Sequence, residues 1–101
     1  MKRKYLFFSL LLTGSSLYAQ EWPAVRPEAR PATRWWWLGS AVDATNLTYN
    51  LEEYAKAGLG GVEITPIYGV QGNDKNNLPF LSPQWMNMLQ HTEAEGKRSG
   101  I

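Results

Sequence analysis

Ten residues constrain this chain more than any others: Gly60-Gly61-Val62-Glu63-Ile64-Thr65-Pro66-Ile67-Tyr68-Gly69. Val62, Ile64 and Ile67 favour a strand, while the Gly60-Gly61 pair before it and Pro66 and Gly69 after it limit its length. The run is apolar except for one carboxylate, Glu63. If the strand is buried, that carboxylate needs a partner, because an unpaired buried charge is costly. The strand also ends by delivering Tyr68 into a glycine-bounded loop.

A second strand candidate precedes it, Arg34-Trp35-Trp36-Trp37-Leu38-Gly39. On a two-residue period Trp35 and Trp37 face one side, and Trp36 and Leu38 the other. Both faces are apolar, the pattern of a strand covered on both sides in a parallel sheet. Between the two strands Asp43 is a good helix N-cap, with Thr45 the alternative. Leu47, Leu51, Tyr54 and Ala55 then recur as one apolar helical face, and Gly58 is placed to stop the helix. Strand, helix and strand with a tight return make a βαβ unit of a parallel sheet.

Residues 69–81 form a polar Gly/Asn/Asp loop of a length that is usually functional or mobile. Ser82-Pro83 is a cap followed by proline at the first helical position. Leu81 and Met86 are spaced for a hydrophobic staple across that cap. Trp85, Met88, Leu89 and Thr92 predict the buried face of a second helix. Lys97 and Arg98 suit its C-terminal dipole end, and Gly100 its stop. His91, the single histidine, has no metal-ligand partner at helical spacing, and a contact with Glu95 one turn on is expected. Asn73, Asp74, Asn76 and Asn77 lack the glycine and distal glutamate of an EF-hand and read as a solvated turn.

The beginning of the chain has a different character. Lys2-Arg3-Lys4, an apolar run from Tyr5 to Leu12 and a small residue at Ala19 have the layout of a secretory signal peptide, too short to span a bilayer. Removing residues 1–19 takes three of the ten Lys and Arg and none of the nine acids, so net charge moves from +1 to −2 over the remaining 82 residues. That balance argues against a nucleic-acid surface. The absence of cysteine removes disulfides and thiol metal sites. Residues 20–33, with Pro23, Pro27 and Pro31, predict an extended lead-in. The expected organisation is a signal peptide at 1–19, the lead-in at 20–33 and an α/β unit at 34–101. An export route to the periplasm or the extracellular space follows, with no membrane span after cleavage.

Three blocks carry a resemblance. They are Arg34-Trp35-Trp36-Trp37-x-Gly39-x-Ala41-Val42-Asp43, then Ala57-Gly58-x-Gly60 through Val70, and Leu81-Ser82-Pro83-x-Trp85-Met86. With Leu51-Glu52-Glu53 they resemble the opening of the catalytic domain of glycoside hydrolase family 106, the α-L-rhamnosidases, over residues 27–101. The resemblance implies a (β/α)8 TIM-type barrel, calcium dependence, inversion at the sugar and a rhamnose-containing oligo- or polysaccharide as substrate. Two βα units are about a quarter of such a barrel, which needs roughly 250 residues. The sequence therefore reads as an amino-terminal fragment, inactive alone. The acid and base of an inverting enzyme, roughly 6.5–9.5 Å apart, are expected beyond residue 101. Gly96 and Ser99 depart from the family, where alanine and a bulky apolar residue are expected.

Four residues are candidates for sugar contact: Glu63, Trp36, Trp37 and Tyr68. Glu63 shares a face with Thr65 and would bind a sugar hydroxyl or a hard cation, or else pair with Arg34 as a structural carboxylate. Trp36 or Trp37 would stack on a sugar ring, or else fill the core. Tyr68 lies at the strand end where barrel sites form. A secreted, non-catalytic carbohydrate-binding protein, or a truncated reading frame without function, remains the alternative. The alternating βα pattern weighs against the former, because small sugar-binding modules are usually all-β.

Overall fold

The structure is a computed structural model, and residues 21–101 are described. The proposed leader at 1–19 lies outside them. Four main elements follow in order: β1 (Ala32–Leu38), α1 (Ala44–Lys56), β2 (Gly61–Ile67) and α2 (Pro83–Ser99). Short 3-10 turns occupy Pro27–Ala29 and Asp74–Asn76. The two strands pair in parallel from Ala32↔Gly61 to Leu38↔Ile67. The chain is thus an α/β unit with a two-stranded parallel sheet and two helices, and no helix among the described residues is long and apolar enough to cross a membrane.

The helix ends form where local chemistry dictates. Asp43 Oδ1 accepts the Asn46 backbone N–H at 2.9 Å and starts α1. Ser82 Oγ accepts from the Trp85 N–H at 3.3 Å, with Pro83 at the first position of α2. Gly58 takes φ +90° after α1, and Gly100 takes φ +80° after α2. There the Ile101 N–H returns to the Gly96 carbonyl at 2.9 Å, satisfying an orphan acceptor of the last turn. Leu81 and Met86 do not staple this cap: Leu81 is in the left-handed region at φ +61°, and both side chains are exposed.

The core lies on one face of the sheet. Trp35, Trp37, Leu47, Leu51 and Trp85 are buried, with Tyr54, Val62, Ile64, Met88, Leu89 and Ile101 packed around them. The indoles meet edge to face, Trp35 to Trp37 and Trp37 to Trp85 both at 5.9 Å between centroids. That arrangement sets the positive edge of one ring against the negative face of the next. The opposite face carries no helix, and Trp36 is 62 % exposed there. The expectation of two covered faces is corrected: both are apolar in sequence, but α1 and α2 pack on the same one.

Three further expectations change. Pro66 lies inside β2 rather than after it, which a strand paired on one side tolerates. The lead-in is not extended throughout, because Pro27–Ala29 turns and folds back on the sheet. Gly60 marks the contact: its N–H donates to the Pro31 carbonyl at 2.9 Å, and a Cβ there would collide with the Pro27 carbonyl and lie 2.7 Å from Arg30 Cβ. His91 does not make its main contact within its own helix. Its Nε2 lies 2.8 Å from Thr48 Oγ1 and 3.0 Å from the Ala44 carbonyl, tying α2 to α1.

Candidate functional site

Glu63 occupies the third position of β2, directly beside Arg34 in the register. Arg34 Nε donates to Glu63 Oε2 at 3.3 Å, and the carboxylate side chain is 68 % exposed on the uncovered face. This overturns the picture of a buried carboxylate and realises the pairing with Arg34. Such an exposed pair contributes at most about 1 kcal/mol. Glu63 lies four positions before Ile67, which at ~3.3 Å per residue puts it roughly 13 Å from the carboxyl end of the strand. Glu63 is a mid-strand group rather than a loop-end one.

The tryptophans divide. Trp36 stands on the uncovered face, opposite Thr65, with its ring accessible. Trp37 is 1 % exposed and held between Trp35 and Trp85, so no ring face is open to a sugar. Of the two stacking candidates, geometry leaves Trp36 available and puts Trp37 in the core. Trp37 Nε1 is also buried without a partner. Tyr68, the first residue after β2, is 84 % exposed.

The carboxyl edge of the sheet holds the better-formed feature. The loop after β1 turns sharply at Gly39 and Ser40, with φ +61° and +48°. The Gly39 N–H donates to the carbonyls of Ile67 and Tyr68, at 2.9 and 3.1 Å, and the Leu78 N–H donates to the Gly39 carbonyl at 3.2 Å. Three segments distant in sequence are thereby fastened together. Between them lies a cavity of about 540 Å³ bordered by Gly39, Ser40, Tyr68, Gly69, Asn77 and Phe80 among others. None of the residues lining it carries a charge.

Asn77 departs from the solvated turn expected of it: Asp74 and Asn76 are exposed, but the Asn77 amide turns inward. Its amide is wedged against both glycines: a Cβ on Gly39 would land on it, and one on Gly69 would lie 2.7 Å from Nδ2. Asn77 Oδ1 is buried and has no hydrogen-bond partner. An unmet buried acceptor costs about 1–3 kcal/mol. Two glycines following equivalent strand ends were a visible signal; the residue that fills the space between them is 38 positions from Gly39 and was not.

Ser40 supports the same corner. Its hydroxyl, buried, accepts the Trp85 Nε1–H at 3.0 Å across 45 residues. Phe80 meets Trp85 edge to face at 4.9 Å and leaves 66 % of itself in solvent. Below the site, α1 and α2 are joined by charge: Arg98 donates to Glu95 and Glu52, both at 2.6 Å. The bond from Arg98 holds the Glu95 carboxyl below its ordinary range. Among the described residues no three His, Cys, Asp or Glu side chains stand together as a metal site. In the Asn/Asp turn, Asn73 Oδ1 is taken by the Asn76 amide at 2.6 Å.

No family model, curated protein or solved structure matches the chain.

Proposed function

We propose that this chain is the amino-terminal part of the (β/α)8 catalytic barrel of an exported glycoside hydrolase, an inverting α-L-rhamnosidase of the family 106 type. In this reading residues 1–19 are the export signal, and the carboxylate pair stands on later strands. One observation carries the reading. The strands run parallel, both helices pack on the same face, and the opposite face is left to Arg34, Trp36, Leu38, Glu63 and Thr65. Helices outside and a mixed polar and aromatic face inside are what a barrel wall requires. The loops after β1 and β2 meet at the carboxyl edge, where barrel enzymes bind their substrates.

Within that frame Trp36 and Tyr68 offer accessible aromatic surfaces to a sugar, and Glu63 with Arg34 offers a polar pair deeper along the wall. The family's calcium has no ligand set among the described residues, so no step passes through it here. The test is to read the gene in frame beyond codon 101, express the extended product and assay hydrolysis of an aryl α-L-rhamnoside. An open frame with further βα repeats and release of the inverted sugar, followed by NMR of the first-formed anomer, upholds the proposal. A stop at codon 102, or an extended protein that leaves the rhamnoside intact, ends it.

A further inference from the structure

We propose that the uncovered face of the sheet is a docking surface for a second copy of this chain, the two copies packing face to face about a two-fold axis parallel to the strands. This stands apart from the rhamnosidase reading, in which further strands would enclose the face. It concerns the chain itself, whose described residues place both helices on the other side.

The register makes the face self-complementary. Three cross-strand pairs alternate away from the helices: Arg34 with Glu63, Trp36 with Thr65, and Leu38 with Ile67. An axis lying between two such faces, along their strands, sets β1 of one copy over β2 of the other. Each residue then stands over the second copy's version of its own sheet neighbour. Arg34 meets a second Glu63, the bulky Trp36 meets the small Thr65, and Leu38 meets Ile67. This is the isologous pattern a two-fold requires. Within one chain the ion pair is a single bond from Arg34 Nε to Glu63 Oε2, so each group keeps capacity for another partner. Facing sheets lie about 10 Å apart, which these two long side chains can span from opposite sides. An axis across the strands would instead set Arg34 on Leu38 and Glu63 on Ile67, desolvating each charge against an apolar group. Charge selects the first axis.

The area suits a weak dimer. Trp36 is 62 % exposed and Tyr68, just past the last pair, 84 %; at roughly 150–250 Å² per aromatic side chain they present about 220–360 Å² on each copy. Leu38 and Val70 are also exposed, and Val70 borders the same hollow as Trp36 and Leu38. A standard interface takes about 800 Å² from each partner, a little over half of it non-polar. The patch supplies much of that apolar share, and Arg34, Glu63 and Thr65 the polar part. Interfaces of standard size extend down to micromolar affinity, and this one belongs at that end.

The test is sedimentation velocity of the full chain across the micromolar range, with a reversible monomer–dimer equilibrium expected. Arg34→Glu sets Glu against Glu across the axis, and Glu63→Arg sets Arg against Arg; each should weaken the dimer roughly tenfold or more. Combining the two restores opposite charges at both positions and should return the dissociation constant to within about threefold of wild type. Dilution of the 15N-labelled wild type gives a readout that needs no variant: the Trp36 indole and Thr65 amide signals should move as the dimer dissociates. A chain that stays monomeric, association that the single exchanges leave unchanged, or open-ended growth through the strand edges overturns the proposal. So does a Trp22–Trp36 nuclear Overhauser contact that persists on dilution, which would make residues 21–26 of the same chain the occupant of the face. None of these results alters the rhamnoside assay of the extended product, so the dimer and the hydrolase reading stand or fall separately.

Discussion

Gly96→Ala tests the packing of α2 most directly. Gly96 is buried in the last turns of the helix, in helical conformation, where glycine is about 1 kcal/mol less favourable than alanine. The space exists: a Cβ there would meet the Ile101 carbonyl oxygen at 3.6 Å, an ordinary van der Waals contact, as its nearest neighbour beyond the adjoining helix backbone. Burying the added methyl is worth up to ~0.8 kcal/mol more. The expected gain is about 1–2 kcal/mol, or roughly 4–16 °C in Tm for a domain of this size. Gly58→Ala makes the same chemical change where no atom lies within 4 Å, but at φ +90°. There the left-handed backbone penalises a Cβ by roughly 1–2 kcal/mol, and stability should fall. Urea titration followed by far-UV circular dichroism measures both. The reasoning fails if Gly96→Ala leaves the midpoint unchanged or lowers it, or if Gly58→Ala raises it as much.

Three other outcomes follow from the same structure. Ser40→Ala strands the Trp85 indole N–H in the core and should cost about 1–3 kcal/mol by the same titration, while Ser82→Ala, which removes a cap, should cost about 1 kcal/mol. Replacing Arg34 by methionine removes only an exposed pair, so a stability change beyond about 1 kcal/mol would contradict the geometry described. Hydrogen bonds from the Asn46 backbone N–H and side-chain amide hold the Asp43 carboxyl below the ordinary carboxylate range, and Lys97 lowers Glu93 in the same sense. Depressed acids contribute stability above their unfolded pKa that is lost as pH falls through the folded one. Melts should therefore be flat above about pH 5 and decline below about pH 4, and Asp43→Asn, which keeps a capping oxygen, should shrink that decline.

What the sequence made legible was decided between near neighbours. Asp43, Ser82-Pro83, Gly58 and Gly100 act on groups within a few positions, and the helices begin and end with them. The buried face of α2 was readable from its period for the same reason. Choices between distant segments were not. Both faces of β1 are apolar, so nothing in the period says that the helices take Trp35 and Trp37 and leave Trp36 open. His91 has Glu95 one turn away, yet bonds Thr48, 43 residues back, because the packing of α1 on α2 brings them together. The lone carboxylate of β2 drew attention to Glu63, although its partner was one strand over in the register and both lie in solvent.

The two ends of the sheet are not equivalent, and that asymmetry shifts functional weight away from Glu63. Parallel strands end on the same side, so pairing Leu38 with Ile67 brings the Gly39-Ser40 turn beside Tyr68-Gly69. At the amino edge the proline turn packs against Gly60, and the Gly60 N–H is already spent on Pro31. At the carboxyl edge the returning chain contributes Asn77, which fills the glycine gap yet leaves its own oxygen unmet. Tyr68 is exposed at the same rim for a related reason: it follows the last paired residue, where the strand no longer directs side chains onto the helices. An open edge, an unmet acceptor and accessible aromatic rings coincide in one place, and on the described surface that place is the end of the sheet rather than its middle.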